Sequence, residues 1–382
     1  MIPQQLRRIA AIGTTLVFVL AACGGPAASP PAATSTNGGG TATPTTGAGQ
    51  PTDAPAEPTA APGEPTAAAS EPTGDGDLNV VFIPKAVNNP YFDAAAEGAQ
   101  RAADELGGDF TQIGPQNATP DEQIPYIQDA TTQGYSAIVV SATGADEVAP
   151  ALQAAMDAGI SVVGYDSSPT SGAYDVFVNQ TDFSLIGGAL AEWACNLAPD
   201  CSGEIAILSA TATASNQNAW IADMETALED EQYANLELVE TVFGNDDPQE
   251  STTQAQGLLQ SYPDLRVIVA PTTVGILAAA QVVSQENSEV KVTGLGLPND
   301  MRQFVENDVT PEFGLWSVPD LGYLAYHVAA LLVSGDITGA PGETFTVEGL
   351  NDGQPYEIGE DSVVILGPPF TFNADNIGDF NF

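Results

Sequence analysis

Lys85 ends the apolar run "NVVFIPK" in a chain where seven Lys or Arg face 50 Asp or Glu. The other residues able to do chemistry follow similar runs. Asn88, Asn89 and Phe92 lie just beyond Lys85, and Ser141 follows "AIVV". Asp166 sits in "GYDSSP", and Gln180 follows "DVFVN". Asn216, Gln217 and Trp220 share "NQNAW", Pro271, Thr272 and Thr273 share "APTT", and Trp316 ends "FGLW". One cation, one anion, several amides and two indoles suit a neutral polyhydroxylated ligand. Amides and carboxylates take hydroxyl hydrogen bonds, and aromatic faces cover sugar C–H surfaces. Singly, each has a structural alternative: Asn88 and Asn89 shaping a turn, Asp166 or Asn216 capping, Trp220 in the core. Their shared position at strand ends is what joins them.

A repeating unit must position these residues. Runs at 79–84, 136–142, 161–166, 175–180, 204–210, 236–244, 266–271, 290–297 and 313–318 predict strands. Helical patterns fall at 90–106, 146–158, 184–197, 216–231, 250–261, 274–286 and 320–334. Asn89 before Pro90 is an N-cap followed by proline at the first helical position. Continuous apolar strands spaced by helices predict an α/β fold of doubly wound parallel sheets covered on both faces. In such sheets ligands sit beyond the carboxyl ends of the strands. The residues from about 77 to 382 suit two domains of about 150 residues each.

The first 76 residues read differently. Arg7 and Arg8 precede an apolar stretch from Ile9 to Leu20, then Ala21, Ala22 and Cys23. That is the order of an export signal, and it is too short for a mature membrane span. "LAAC" resembles the lipobox of bacterial lipoproteins. The resemblance implies removal of residues 1–22, a lipid on Cys23, and anchoring at the outer face of the cell membrane without a span, in a periplasm or at the cell surface. Of the 53 residues at 24–76, 46 are Pro, Thr, Ala, Gly or Ser, so no core can form there. As a tether this stretch reaches on the order of 150 Å.

A formal net charge of −43 argues against nucleic acid as a partner, because phosphate binding needs a basic face. Cys195 and Cys201, an even pair in an exported chain, predict a local disulfide. His327 lies in "LGYLAYHVAALL" and reads as a packed core residue. With no Cys/His cluster in the sequence, no metal or other cofactor is expected.

At "FIPKAVNNPYFDAAAEGAQ", "GYDSSP", "NQNAW", "VIVAPTTVGILAAA", "VTGLGLP" and "EFGLW" the chain resembles a known family. It is similar to the type I periplasmic sugar-binding proteins of ABC importers, in the branch of rhamnose-binding proteins and autoinducer-2 receptors. The similarity runs over essentially all of 79–382. It implies two α/β domains joined by three hinge crossings and closing on one sugar, in a monomer that serves a membrane permease. The implied domains are 77–181 plus about 318–346, and 182–317 plus about 347–382. Autoinducer-2 receptors of this branch hold ligand through residues that Lys85, Asp166, Gln217 and Pro271 match. Where they carry Asp and Ala, this chain has Asn216 and Thr273. Those departures, and the likeness of "SATATASNQNAW" and "APTTVG" to rhamnose-binding members, favour rhamnose or a similar deoxyhexose.

Other classes fit less well. "TGLGLPN" lacks the third glycine of a dinucleotide fingerprint, and neither a phosphate-binding loop nor a nucleophile elbow occurs. A carboxylate pair hydrolysing glycosides stays open at this level. A repressor of related fold would carry a basic helix-turn-helix where this chain has its leader and tether. The leader yields a first prediction. Replacing Cys23 by Ser should move the protein from the membrane pellet to the soluble fraction. A Ser variant that still pellets, and is freed only by detergent, contradicts the lipid anchor.

Overall fold

A computed structural model describes residues 78–382; the expected signal, Cys23 and the tether lie outside the described residues. The first part of the chain runs β1 (Asn79–Ile83), α1 (Pro90–Leu106), β2 (Asp109–Gln112), α2 (Pro120–Gln133), β3 (Ala137–Val140), α3 (Ala145–Asp157), β4 (Ser161–Tyr165) and β5 (Val176–Asn179). A second run follows: α4 (Ser184–Leu197), β6 (Gly203–Ser209), α5 (Ser215–Ala227), β7 (Leu236–Phe243), α6 (Pro248–Ser261), β8 (Leu265–Ala270), α7 (Thr273–Glu286), β9 (Lys291–Gly294) and α8 (Pro298–Glu306). The remainder is β10 (Phe313–Leu315), α9 (Val318–Ser334), β11 (Thr344–Phe345), β12 (Tyr356–Glu357), β13 (Val363–Ile365) and β14 (Phe370–Phe372).

The strands make two parallel sheets. One has the order β13-β5-β4-β3-β1-β2 and the other β7-β6-β8-β9. Central strands are largely buried, along the whole of "AIVV" in β3 and through "VIVA" in β8, past its exposed Arg266. That is why they read as unbroken apolar runs. A short antiparallel pair, β10 with β14, continues the second lobe through a bridge from Leu295 to Gly314.

The structure adds elements that the pattern hid. β2 is an edge strand with one large apolar residue, Phe110, and no fully buried position. α2 is polar and holds Pro125 inside it. The return path also differs from expectation. Val363–Ile365 pairs in parallel with Phe177–Asn179, so β13 belongs to the first sheet, whereas everything after about 347 was expected in the second domain. The third crossing lies between β13 and β14. An edge position three residues long leaves too little apolar pattern to reveal the partner.

α1 and α9 hold the first lobe's cleft side together. α9 is buried almost all round, from Val318 to Leu331, as a helix sandwiched between a sheet and another helix must be. α1 meets it with small residues: Ala94, Ala95, Gly98, Ala99 and Ala102. A Cβ at Gly98 would run into the Pro319 carbonyl, and one at Gly322 into the Ala95 carbonyl. Alanine at either site would force the backbones apart at about 1–3 kcal/mol. The contact matters for the cleft because α1 starts with Tyr91 and Phe92, and α9 starts two residues after Trp316.

Cys195, in α4, is bridged to Cys201 in the turn that follows it, as expected. So short a loop removes little unfolded-chain entropy, worth roughly 2 kcal/mol. His327 is buried in α9 with its ring 4.5 Å from that of Tyr323. It lies apart from the strand-end residues.

Candidate ligand-binding cleft

Both sheets share one topology: the second strand lies outside the first, and the third on the first strand's other side. The connections leaving β1 and β3 therefore diverge to opposite faces, as do those leaving β6 and β8. A crevice opens at the strand ends where they part. Lys85 and Ser141 flank that point in the first lobe. Asn216, Gln217 and the Pro271–Thr273 turn flank it in the second.

Asp166 is the hub. Its backbone turns at φ 60°, the left-handed region that costs a side-chain-bearing residue energy and that Asp and Asn tolerate best. The Ser141 hydroxyl donates to its Oδ2 at 2.6 Å, and the Tyr91 hydroxyl to its Oδ1 at 3.1 Å. The Lys85 ammonium lies 3.4 Å from Oδ2. Trp316 Nε1 donates to the Tyr91 oxygen at 3.1 Å, so a chain of hydrogen bonds runs from Trp316 to the carboxylate. Burial, and then the Asp166 charge, pushes the Tyr91 phenol well above its ordinary range, which keeps it a donor.

The second lobe reaches the same hub. Asn216 Oδ1 accepts from Lys85 at 3.2 Å, and its Nδ2 donates to Asp166 Oδ1 at 3.3 Å. A further contact, Ser167 to Ser215 at 3.1 Å between hydroxyls, joins the lobes beside it. Gln217 is held by its oxygen, which accepts from Ser209 Oγ at 2.7 Å and Ala210 N at 2.9 Å. Around this polar core lie Trp220 and Trp316, ring centroids 5.8 Å apart. The space among these groups is about 370 Å³, open solvent at its mouth included.

Eleven of the sequence candidates line that cavity: Lys85, Asn89 and Phe92; Asp166; Asn216, Gln217 and Trp220; Pro271, Thr272 and Thr273; and Trp316. Asn89 also caps α1, its Oδ1 accepting from Tyr91 N at 3.0 Å. Three candidates stand elsewhere. Ser141 supports Asp166 from outside the lining. Asn88, in a left-handed turn, points outward and bonds Gln116. Gln180 is fully buried at the crossing after β5, away from the cavity.

Sequence reasoning missed Tyr91, Leu295, Leu315 and Asp246. Asp246 is the important one. It follows β7 in "GNDDP", a strand end like the others, so the same rule would have found it. Its carboxylate accepts from Thr272 Oγ1 at 2.6 Å. Burial raises its pKa, the Asp166 charge adds to that, and the Thr272 bond and Lys85 oppose it. Among the described residues, the cleft thus sets one ammonium, Lys85, against two carboxylates, one from each lobe.

Known proteins share this fold. The pattern of the periplasmic binding protein domain matches residues 80–337. An ABC transporter solute-binding protein from Clostridium phytofermentas, solved with bound L-rhamnose, is 37% identical with a TM-score of 0.76, over 82% of this chain and 98% of that one. LsrB from Clostridium saccharobutylicum, solved in complex with AI-2, is 25% identical with a TM-score of 0.74, over 79% and 99%. The ribose import binding protein RbsB of Salmonella typhimurium is 30% identical over 112 residues, 29% of this chain. That match spans 37% of the curated relative's length.

Asp246 gives a pH prediction. Its folded pKa is raised above the unfolded value, so its ionisation opposes folding. The penalty is absent below the unfolded aspartate pKa and grows as pH rises through the folded one. Asp246→Asn should therefore be more stable than wild type in urea at pH 7, with the gap shrinking as pH falls toward about 4. A variant less stable than wild type at pH 7 contradicts this sign.

Proposed function

The chain belongs to the periplasmic binding protein family, and from that premise we propose that it is the solute-binding protein of an ABC importer. Its two lobes close on a neutral monosaccharide, L-rhamnose or a similar deoxyhexose, and a membrane permease receives it. The observation that carries this reading is the Lys85–Asp166–Asn216 contact, which ties both lobes together through groups that also line the cavity. A sugar whose hydroxyls bond those groups binds both lobes at once and favours the closed arrangement by its differential affinity for it.

The charge count selects the ligand class. With Lys85 already facing Asp166, and Asp246 adding a second carboxylate, an anionic sugar would meet net repulsion. Trp220, Trp316, Phe92, Leu295 and Leu315 offer apolar surface for ring C–H faces and for the methyl group of a deoxyhexose. Asn216 and Thr273, where autoinducer-2 receptors carry Asp and Ala, offer a different donor pattern and turn the preference from autoinducer-2. The likeness to a protein solved with L-rhamnose supports the same choice. The protein acts as a monomer, held to the membrane by the lipid on Cys23. Its function is capture, and it carries out no reaction on the sugar.

The experiment is calorimetric titration with L-rhamnose, D-ribose and autoinducer-2, beside an assay for glycoside turnover. L-Rhamnose should bind at least about tenfold more tightly than the others, a difference of about 1.4 kcal/mol. Preferred binding of autoinducer-2 would replace the sugar reading with that of a signal receptor. Glycoside turnover would overturn the binding function itself.

A further inference from the structure

A second cavity adjoins the first. It spans about 610 Å³ with its mouth, and Asn89 and Asp246 line both spaces. Its walls come from both lobes: Asn88, Gln116 and Asn117 on one side, Asn245 and Asp247 on the other. All five are exposed. Pro90 and Pro248, the first residues of α1 and α6, face it from opposite lobes with apolar ring surface.

The polar groups here have one character. Asn88 Nδ2 donates to Gln116 Oε1 at 2.8 Å, Asn117 Nδ2 to Glu122 Oε1 at 2.8 Å, and Asn245 Nδ2 to Glu250 Oε1 at 3.0 Å. Each of these amide groups spends one of its two N–H donors on a protein acceptor, so the groove offers remaining amide donors beside amide oxygens and two carboxylates, Asp246 and Asp247. Among the described residues, no Lys or Arg lines it. Such a surface accepts hydrogen bonds from hydroxyls and repels phosphates and carboxylates. Prolines supply the apolar face that the carbon side of a sugar ring needs.

We infer that this groove is a second sugar subsite, and that the cleft takes a glycoside whose inner ring occupies the first cavity and whose second neutral ring lies between the lobes at the mouth. The inference rests on the sugar-binding function proposed above. Asp246, half-buried and shared by both spaces, receives hydroxyls flanking the glycosidic bond. The anomeric oxygen of the inner ring faces Asn89 and Asp246. Because the groove's walls belong to both lobes, the second ring adds contacts that exist only when the lobes are together. It therefore strengthens closure as well as affinity.

The test compares L-rhamnose, its methyl glycoside and rutinose, an L-rhamnosyl-glucose, by calorimetry on the full chain. Rutinose should bind about tenfold more tightly than the methyl glycoside. The double variant Asn117→Ala/Asn245→Ala, with its fold checked by circular dichroism, should lose that advantage and keep wild-type affinity for L-rhamnose. Both positions are exposed and outside the inner cavity. Rutinose that binds no better than the methyl glycoside, or an advantage that survives in the double variant, overturns the subsite. L-Rhamnose bound with rutinose excluded rejects the subsite and leaves the proposed function standing. If none of the three binds, the rhamnose reading falls and the subsite with it.

Discussion

A single buried ammonium organises the cleft. Lys85 is 5% exposed and Asp166 4%, so both ions have left water, at a cost of several kcal/mol each. Their mutual attraction alone does not offset that cost, and such a pair adds little net stability. The surroundings make it tolerable. Ser141, Tyr91 and Asn216 hydrogen-bond the carboxylate, and the Asn216 oxygen takes part of the ammonium. Removing any member leaves a neighbour with an unmet polar group. The pair joins both lobes through Asn216 while adding little net stability, and Asp246 leaves the cleft lining with one carboxylate more than its ammonium.

The rest of the first lobe keeps this hub in place. Tyr91 reaches Asp166 because Asn89 and Pro90 fix where α1 begins. Trp316 reaches Tyr91 because α9 lies close against α1, an approach that Gly98 and Gly322 permit by having no side chain. The left-handed turn at Asp166 stores local strain at the position the other groups hold. Packing, capping and strain thus act on one carboxylate. The second lobe contributes through rigid elements too: Asn216 and Gln217 lie on the first turn of α5, and Gln217 is tied to the end of β6.

The fold was legible where burial was two-sided. β3 and β8 are apolar on both faces and announce themselves, whereas β2, with Phe110 alone, and the three-residue β13 do not. Within the cleft, chain position was a good guide because parallel strands bring their carboxyl ends to one edge of each sheet. It failed where direction matters: the turn at Asn88 sends its amide outward, and Gln180 enters a crossing and not the cavity. Tyr91 stayed hidden because an aromatic in a helix's first turn looks like core. Asp246 stayed hidden because "GNDDP" reads as a loop, although it too follows a strand, three residues beyond β7 where Asp166 directly follows β4.

The central claim is that Asp166 holds the ligand-binding hub together. The most direct measurement is the L-rhamnose affinity of Asp166→Ala, with the fold checked by circular dichroism. In the proposed binding mode the variant lacks a carboxylate acceptor for ligand hydroxyls, and Lys85 lacks its ion-pair partner. The expected loss is about 2–4 kcal/mol, or roughly 30- to 1000-fold in affinity. Wild-type affinity in a folded Asp166→Ala protein would contradict the account, because the cleft would then bind sugar without its hub.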